Sequence, residues 1–136
     1  MKKTGSEIEG DVFTILKNSA LSTTIRGGLY RNGMRPNNAD SEDAIVTFIT
    51  GLDAQIQTGA LNLNVYVPDI DNGSGVLIKN GLRCQMLEIL VNGIVQDLNP
   101  VTEYRFSLGA IVQTFTAEGL NQHFVNAKIK FQLATF

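Results

Sequence analysis

Two stretches of this 136-residue chain alternate apolar and polar side chains residue by residue, and they constrain the fold more than any other feature. Between Gln57 and Val67, Leu61, Leu63, Val65 and Val67 point one way while Asn62, Asn64 and Tyr66 point the other. Between Phe124 and Phe136, Val125, Ala127, Ile129, Phe131 and Leu133 alternate with Asn126, Lys128, Lys130 and Gln132. A strand sends successive side chains to opposite faces. Both runs therefore demand a sheet with one apolar face and one polar face, the pattern of an antiparallel sheet covered on one side.

The covering layer is read from helical spacing. From Ser6 to Asn18, Ile8, Val12, Ile15 and Leu16 share one helical face, with Ser6 and Glu9 spaced as a capping box. From Leu82 to Leu98, Leu87, Leu90, Val91, Ile94 and Leu98 form a second stripe. Met86, Ile89 and Val95 broaden it, which predicts contact with more than one layer, and Asn99 and Pro100 stop it. Strands are further predicted at Leu29–Arg31, at Ala44–Thr50 and from Glu103 to Leu108, the last continuing past an irregularity at Gly109 to Thr116. A turn or bulge is expected at Gly51–Asp53, and loops at Asn32–Glu42 and Asp69–Gly75. The reading is α+β: a single, mostly antiparallel sheet with two helices on one face, in the order α-β-β-β-α-β-β, filling residues 1–136 as a single domain.

Length and composition narrow the functions available. About 100–200 residues make one domain, and 43% hydrophobic residues supply its core. Eleven basic residues against thirteen acidic leave a net charge of −2, without the basic excess of a dedicated nucleic-acid coat. No apolar run approaches the ~20 residues that span a bilayer. Lys2 and Lys3 open the chain like a signal sequence, but Glu7 and Glu9 follow where an apolar segment would be needed, so an intracellular protein is expected.

Residues capable of chemistry are few. One cysteine and one histidine make neither a disulfide nor a common zinc cage. Cys84 falls within the second helix, as a small buried hydrophobe would. His123 lies in a turn leading to the last strand, reads as a surface histidine, and has no nucleophile motif beside it; a hydrolase built on it ranks last. Asp69, Asp71 and Gly73 start like a calcium loop, but Ser74 stands at the glycine position and Asn80 at the final carboxylate position, so a β-turn is preferred. The adjacent carboxylates Glu42 and Asp43 sit on a polar loop, where solvated charge is expected. The sequence thus predicts no enzyme, no cofactor, no metal and no small-molecule substrate.

Charge is unevenly distributed along the chain. Lys17, Arg26, Arg31 and Arg35 are the only charged residues between Val12 and Asn38. Asp40, Glu42, Asp43, Asp53, Asp69 and Asp71 then follow with no Lys or Arg before Lys79. Two readings remain open: two solvated faces of one monomer, or a basic edge on one copy meeting an acidic edge on the next in a head-to-tail contact.

The segments Gly28–Arg31 (GLYR), Arg35–Asn38 (RPNN), Ser41–Val46 (SEDAIV) and Gln57–Asp69 (QTGALNLNVYVPD) resemble small tail-completion proteins of phages and prophages. The element order is similar to that of the tail-terminator and head–tail joining (neck) proteins of long-tailed phages. The resemblance implies a non-catalytic virion-assembly subunit of a homo-oligomeric ring, commonly a hexamer. Such a ring caps the tail tube, links it to the head connector and lets DNA pass. It would reside in the cytoplasm during assembly and then in the virion tail or neck. Arg31, Arg35, Asp40, Glu42, Asp43, Asp69 and Asp71 become candidates for subunit contacts, and Arg26, Lys128 and Lys130 for a lumen or DNA-facing surface. The runner-up is a small nucleic-acid-binding domain using the Arg26–Arg35 segment and the Lys128/Lys130 face, with Tyr30 available for stacking.

Overall fold

The two alternating runs pair with each other. In the computed structural model, which describes residues 2–98 and 103–135, they become β3 (Ile56–Pro68) and β8 (Gln122–Ala134). These two strands are antiparallel along their whole length, from Ile56 opposite Ala134 to Pro68 opposite Gln122. The register sets Leu61 beside Ile129, Leu63 beside Ala127 and Val65 beside Val125, all fully buried. A one-residue slip would turn every one of these side chains to the polar face, so the hydrophobic pattern itself specifies the pairing.

Around this pair the sheet grows on both sides. β2 (Ala44–Leu52) joins the free edge of β3 antiparallel, and β1 (Leu29–Arg31) joins β2 parallel. On the other side β6 (Tyr104–Leu108) and β7 (Gln113–Ala117) pair in succession with β8, forming one interrupted edge. The interruption falls where Gly109 donates its N–H to the Lys128 carbonyl at 2.8 Å, close to the irregularity expected there. The bulge expected near Gly51 falls slightly earlier: the β2–β3 register shifts between Phe48 and Thr50, and Ile49 is the extra residue. Past the bulge, Gly51 faces Gly59, where a Cβ on Gly59 would run into the Thr50 carbonyl and the Phe131 ring.

The α+β class is as expected, but the order α-β-β-β-α-β-β and the count of two helices are not. A short helix at Ala20–Thr24 follows the first, and the strand expected to run on past Gly109 is two strands, β6 and β7. The main sheet is mixed rather than wholly antiparallel, because β1 and β2 run parallel. A separate two-stranded sheet pairs β4 (Ile70–Asp71), inside the expected Asp69–Gly75 loop, with β5 (Leu77–Ile78) just past it. Strands this short offer no alternation to detect, while Asn72, Gly73, Ser74 and Gly75 between them supply a strong turn signal.

Three helices cover the apolar face and join it in one hydrophobic cluster. α1 (Gly5–Lys17) buries Ile8, Val12 and Leu16. Its capping box is formed by Thr4 and Glu7, two residues earlier than the Ser6–Glu9 spacing suggests. Glu9 is engaged elsewhere, accepting from the Phe48 N–H at 3.0 Å and from Arg31 Nε at 3.2 Å, which ties the helix to the sheet edge. The five-residue α2 (Ala20–Thr24) is capped by Ser19 and was not signalled by any periodicity.

α3 (Gly81–Asp97) turns Cys84, Leu87, Val91, Ile94 and Val95 inward. Of the three residues expected to broaden its stripe, only Val95 is buried; Met86 and Ile89 face out beside Leu82, which is 85% exposed. α3 is therefore apolar on both its inner and its outer side. The Asn99–Pro100 stop lies outside the described residues. Among the described residues no helix is long and apolar enough to cross a membrane.

Candidate functional site

The acidic pair Glu42–Asp43 departs most from expectation. Rather than being solvated, both residues are buried, 4% and 1% exposed. A buried carboxylate needs cationic and hydrogen-bonding partners to stay charged, and both find them within the chain. Arg83 of α3 reaches Glu42 with Nη2 at 2.6 Å and Nε at 2.8 Å, a bidentate contact, and also donates to the Thr24 carbonyl at 3.0 Å. Arg35 Nε donates to Asp43 at 2.9 Å while its Nη2 donates to the Ser41 carbonyl and to Gln122, and its guanidinium lies 4.3 Å from the Tyr66 ring centre. The Gly28 N–H and the Ser41 hydroxyl, both at 2.8 Å, complete the shell of Asp43. Burial opposes ionisation of Asp43, yet the Gly28, Ser41 and Arg35 donors together hold its carboxyl below the ordinary value of 3.8. Gly27 makes the close approach possible, since a Cβ there would collide with Asp43 and with the Glu42 backbone.

Much of the basic-then-acidic pattern of the sequence is thus matched inside one chain. Arg35, Glu42 and Asp43 are internal, and Arg31 pairs with Glu9 and donates to the Ser6 carbonyl at 2.7 Å. Asp40 and Arg26 are exposed. Sequence reasoning missed Arg83 because its partner lies 41 residues earlier, beyond any local pattern.

His123 is not in a turn but in β8, and its side chain is only 18% exposed. Its Nδ1 lies 2.7 Å from Asp69, fastening the base of the β4–β5 hairpin to the sheet. Among the described residues no serine, threonine or cysteine side chain hydrogen-bonds to His123. Asp71 shapes the hairpin turn: its Oδ1 accepts the N–H of Gly73 at 2.7 Å and of Gly75 at 3.0 Å, the geometry of an Asx turn. No group of three or more His, Cys, Asp or Glu residues that could hold a metal occurs among the described residues.

Cys84 is 1% exposed, and burial pushes its thiol pKa up. A thiol kept neutral and shielded should react slowly. Ellman's reagent is expected to label native protein far more slowly than urea-unfolded protein; equal rates would contradict this burial.

The polar face of the sheet is left uncovered by the helices. There the register groups Arg105, Lys128 and Lys130 around an open concavity of about 930 Å³, with Ile49, Leu52 and Ala60 as its apolar part. No acidic residue lines it, and among the described residues none of the three cations has an ion-pair partner. Lys128 and Lys130 were legible from strand alternation; Arg105 joins them because it sits opposite Gln132. No protein-family model matches the chain, and the search of curated proteins returns no match.

Proposed function

We propose that this protein is a structural, non-enzymatic subunit of a ring that terminates a phage tail or joins it to the head connector. The observation that carries the proposal is the placement of its exposed apolar side chains. One group comprises Ile70, Leu77 and Ile78 of the hairpin that follows β3, with Leu82, Met86 and Ile89 on the outer side of α3, the helix that follows the hairpin. A second group, Ile49, Leu52 and Ile56, surrounds the start of β3. Large apolar side chains gathered on the uncovered side of a helix, as Leu82, Met86 and Ile89 are, mark an interaction surface. Two unlike surfaces, the hairpin after the end of β3 and the apolar group around its start, favour a head-to-tail contact, which closes into a ring when the rotation between copies allows. The partners in this reading are further copies of the chain, a tail-tube protein and the head connector, with DNA passing through the centre.

The alternative is nucleic-acid binding through Arg26–Arg35 and the Lys128/Lys130 face. It is weakened at its first part because Arg31 and Arg35 are engaged in ion pairs and Tyr30 is partly buried, while Lys128 and Lys130 stay open on the sheet face. Antibody–gold labelling of particles from the phage that encodes this chain tests the proposal. Label is expected at the head-proximal end of the tail. Label absent from particles, or confined to the distal tip, overturns the reading.

A further inference from the structure

We infer that the β4–β5 hairpin of one copy docks into the basic concavity on the open sheet face of the next copy. This inference rests on the ring reading and names its contact. The two surfaces are complementary in charge. From Asp69 to Ile78 the hairpin has no basic residue; Asp69 is held by His123, so Asp71 is its outward carboxylate, with Lys79 lying just beyond. Exposed Glu118 lies on the β7–β8 turn against which the hairpin base is tied, through the Asp69 N–H bond to the Asn121 carbonyl at 3.0 Å. The concavity presents Arg105, Lys128 and Lys130 with no acid among its lining residues.

The apolar parts are complementary as well. Cross-strand pairing puts Ile70 with Ile78 on one side of the hairpin and Asp71 with Leu77 on the other. The second side thus offers a carboxylate and an apolar group together. The concavity offers the matching combination of cations with Ile49, Leu52 and Ala60. Asp71 uses Oδ1 for the turn, leaving Oδ2 without a hydrogen-bond partner among the described residues.

The contact cannot form within one chain. The hairpin follows the last residue of β3, whereas the concavity lies against Thr58–Ala60 near its start. At about 3.3 Å per residue, the intervening strand keeps them roughly 30 Å apart. The occupant must come from another copy, and the contact is heterologous, as ring closure requires.

Charge reversal tests the inference, with mass measured by light scattering at low salt. Asp71→Lys alone and Lys130→Glu alone are each expected to raise the concentration needed for assembly at least tenfold. The combination Asp71→Lys/Lys130→Glu is expected to recover most of that loss. Leu77→Asp is expected to block assembly at every salt concentration. All these positions are exposed, so circular dichroism should report an unchanged global fold. Because Asp71 Oδ1 also holds the hairpin turn, Asp71→Asn, which keeps that acceptor and removes the charge, is expected to weaken assembly as well. Reversals that leave the assembly intact overturn this docking while leaving the ring reading standing. A wild-type protein that stays monomeric at high concentration under these conditions overturns the docking and the ring reading together. Loss of a duplex-DNA gel shift in Arg105→Glu/Lys130→Glu without any change in assembly would also overturn it, assigning the concavity to the phosphate backbone instead.

Discussion

Asp43→Ala is expected to destabilise the protein by about 3–5 kcal/mol, the range for breaking a buried ion pair from one side. The substitution removes more than one interaction. Arg35, whose side chain is 10% exposed, loses the carboxylate it pairs with, and the Gly28 N–H and Ser41 hydroxyl lose their acceptor. Unpaired buried groups of this kind retain the full cost of leaving water. Replacing both ends, as in Asp43→Asn/Arg35→Met, is expected to cost less than the sum of the two single changes, because the pair then disappears together. Urea denaturation measures each value. Additive single and double changes would show that the ion pair contributes no coupling.

The same carboxylate sets a pH dependence with a definite sign. Asp43 is held below its ordinary value of 3.8 in the folded state despite its burial. Asp11 is likewise held down, against burial, by Lys3 Nζ at 2.5 Å and the Tyr104 hydroxyl at 2.6 Å. A group with a lowered folded-state value stabilises the fold fully above its unfolded value and loses that contribution as pH falls through the folded one. Stability is therefore expected to be level with respect to these two groups near neutrality and to drop below about pH 4. Asp43→Asn is expected to flatten that drop, and an unchanged acid limb would show that Asp43 does not contribute to it.

Leu63→Ala is expected to have the second large effect, about 3–5 kcal/mol, with a melting temperature lower by roughly 10–15 °C. Leu63 is fully buried at the middle of β3, paired with Val46 on one side and Ala127 on the other. Both cross-strand neighbours are smaller than leucine and belong to a ladder locked in register on each side. They have little freedom to collapse into the space left behind, so the cost falls high in the usual range for leucine truncation. Leu82→Ala, the same truncation on the outer side of α3, is expected to change monomer stability by less than about 1 kcal/mol. Similar losses at the two positions would contradict the distinction between the inner and outer apolar faces.

How far the sequence foretold the fold depends on the range of the forces involved. β3 and β8 were legible because alternation is a local consequence of strand geometry, and α1 and α3 because helical spacing is too. The parallel β1–β2 pair was not, since Leu29 meets Ala44 across a twelve-residue connection with no periodicity of its own. The burial of Glu42 and Asp43 was hidden for a similar reason. Both carboxylates follow a run of turn-forming residues, and the cation that lets Glu42 enter the core comes from Arg83 on α3. The candidate surface was half legible: alternation placed Lys128 and Lys130 on the polar face, while Arg105 and the apolar hairpin needed the tertiary arrangement. The double-sided apolar character of α3 was visible as breadth, but breadth alone did not say that one side is uncovered.

The most direct measurement of the ring reading is the mass of the purified protein in solution, followed by light scattering across concentration and salt. A discrete assembly at an integer multiple of 14.8 kDa is expected at low salt, weakening as salt screens its exposed charges. A 14.8 kDa monomer that persists at high concentration and low salt would contradict it.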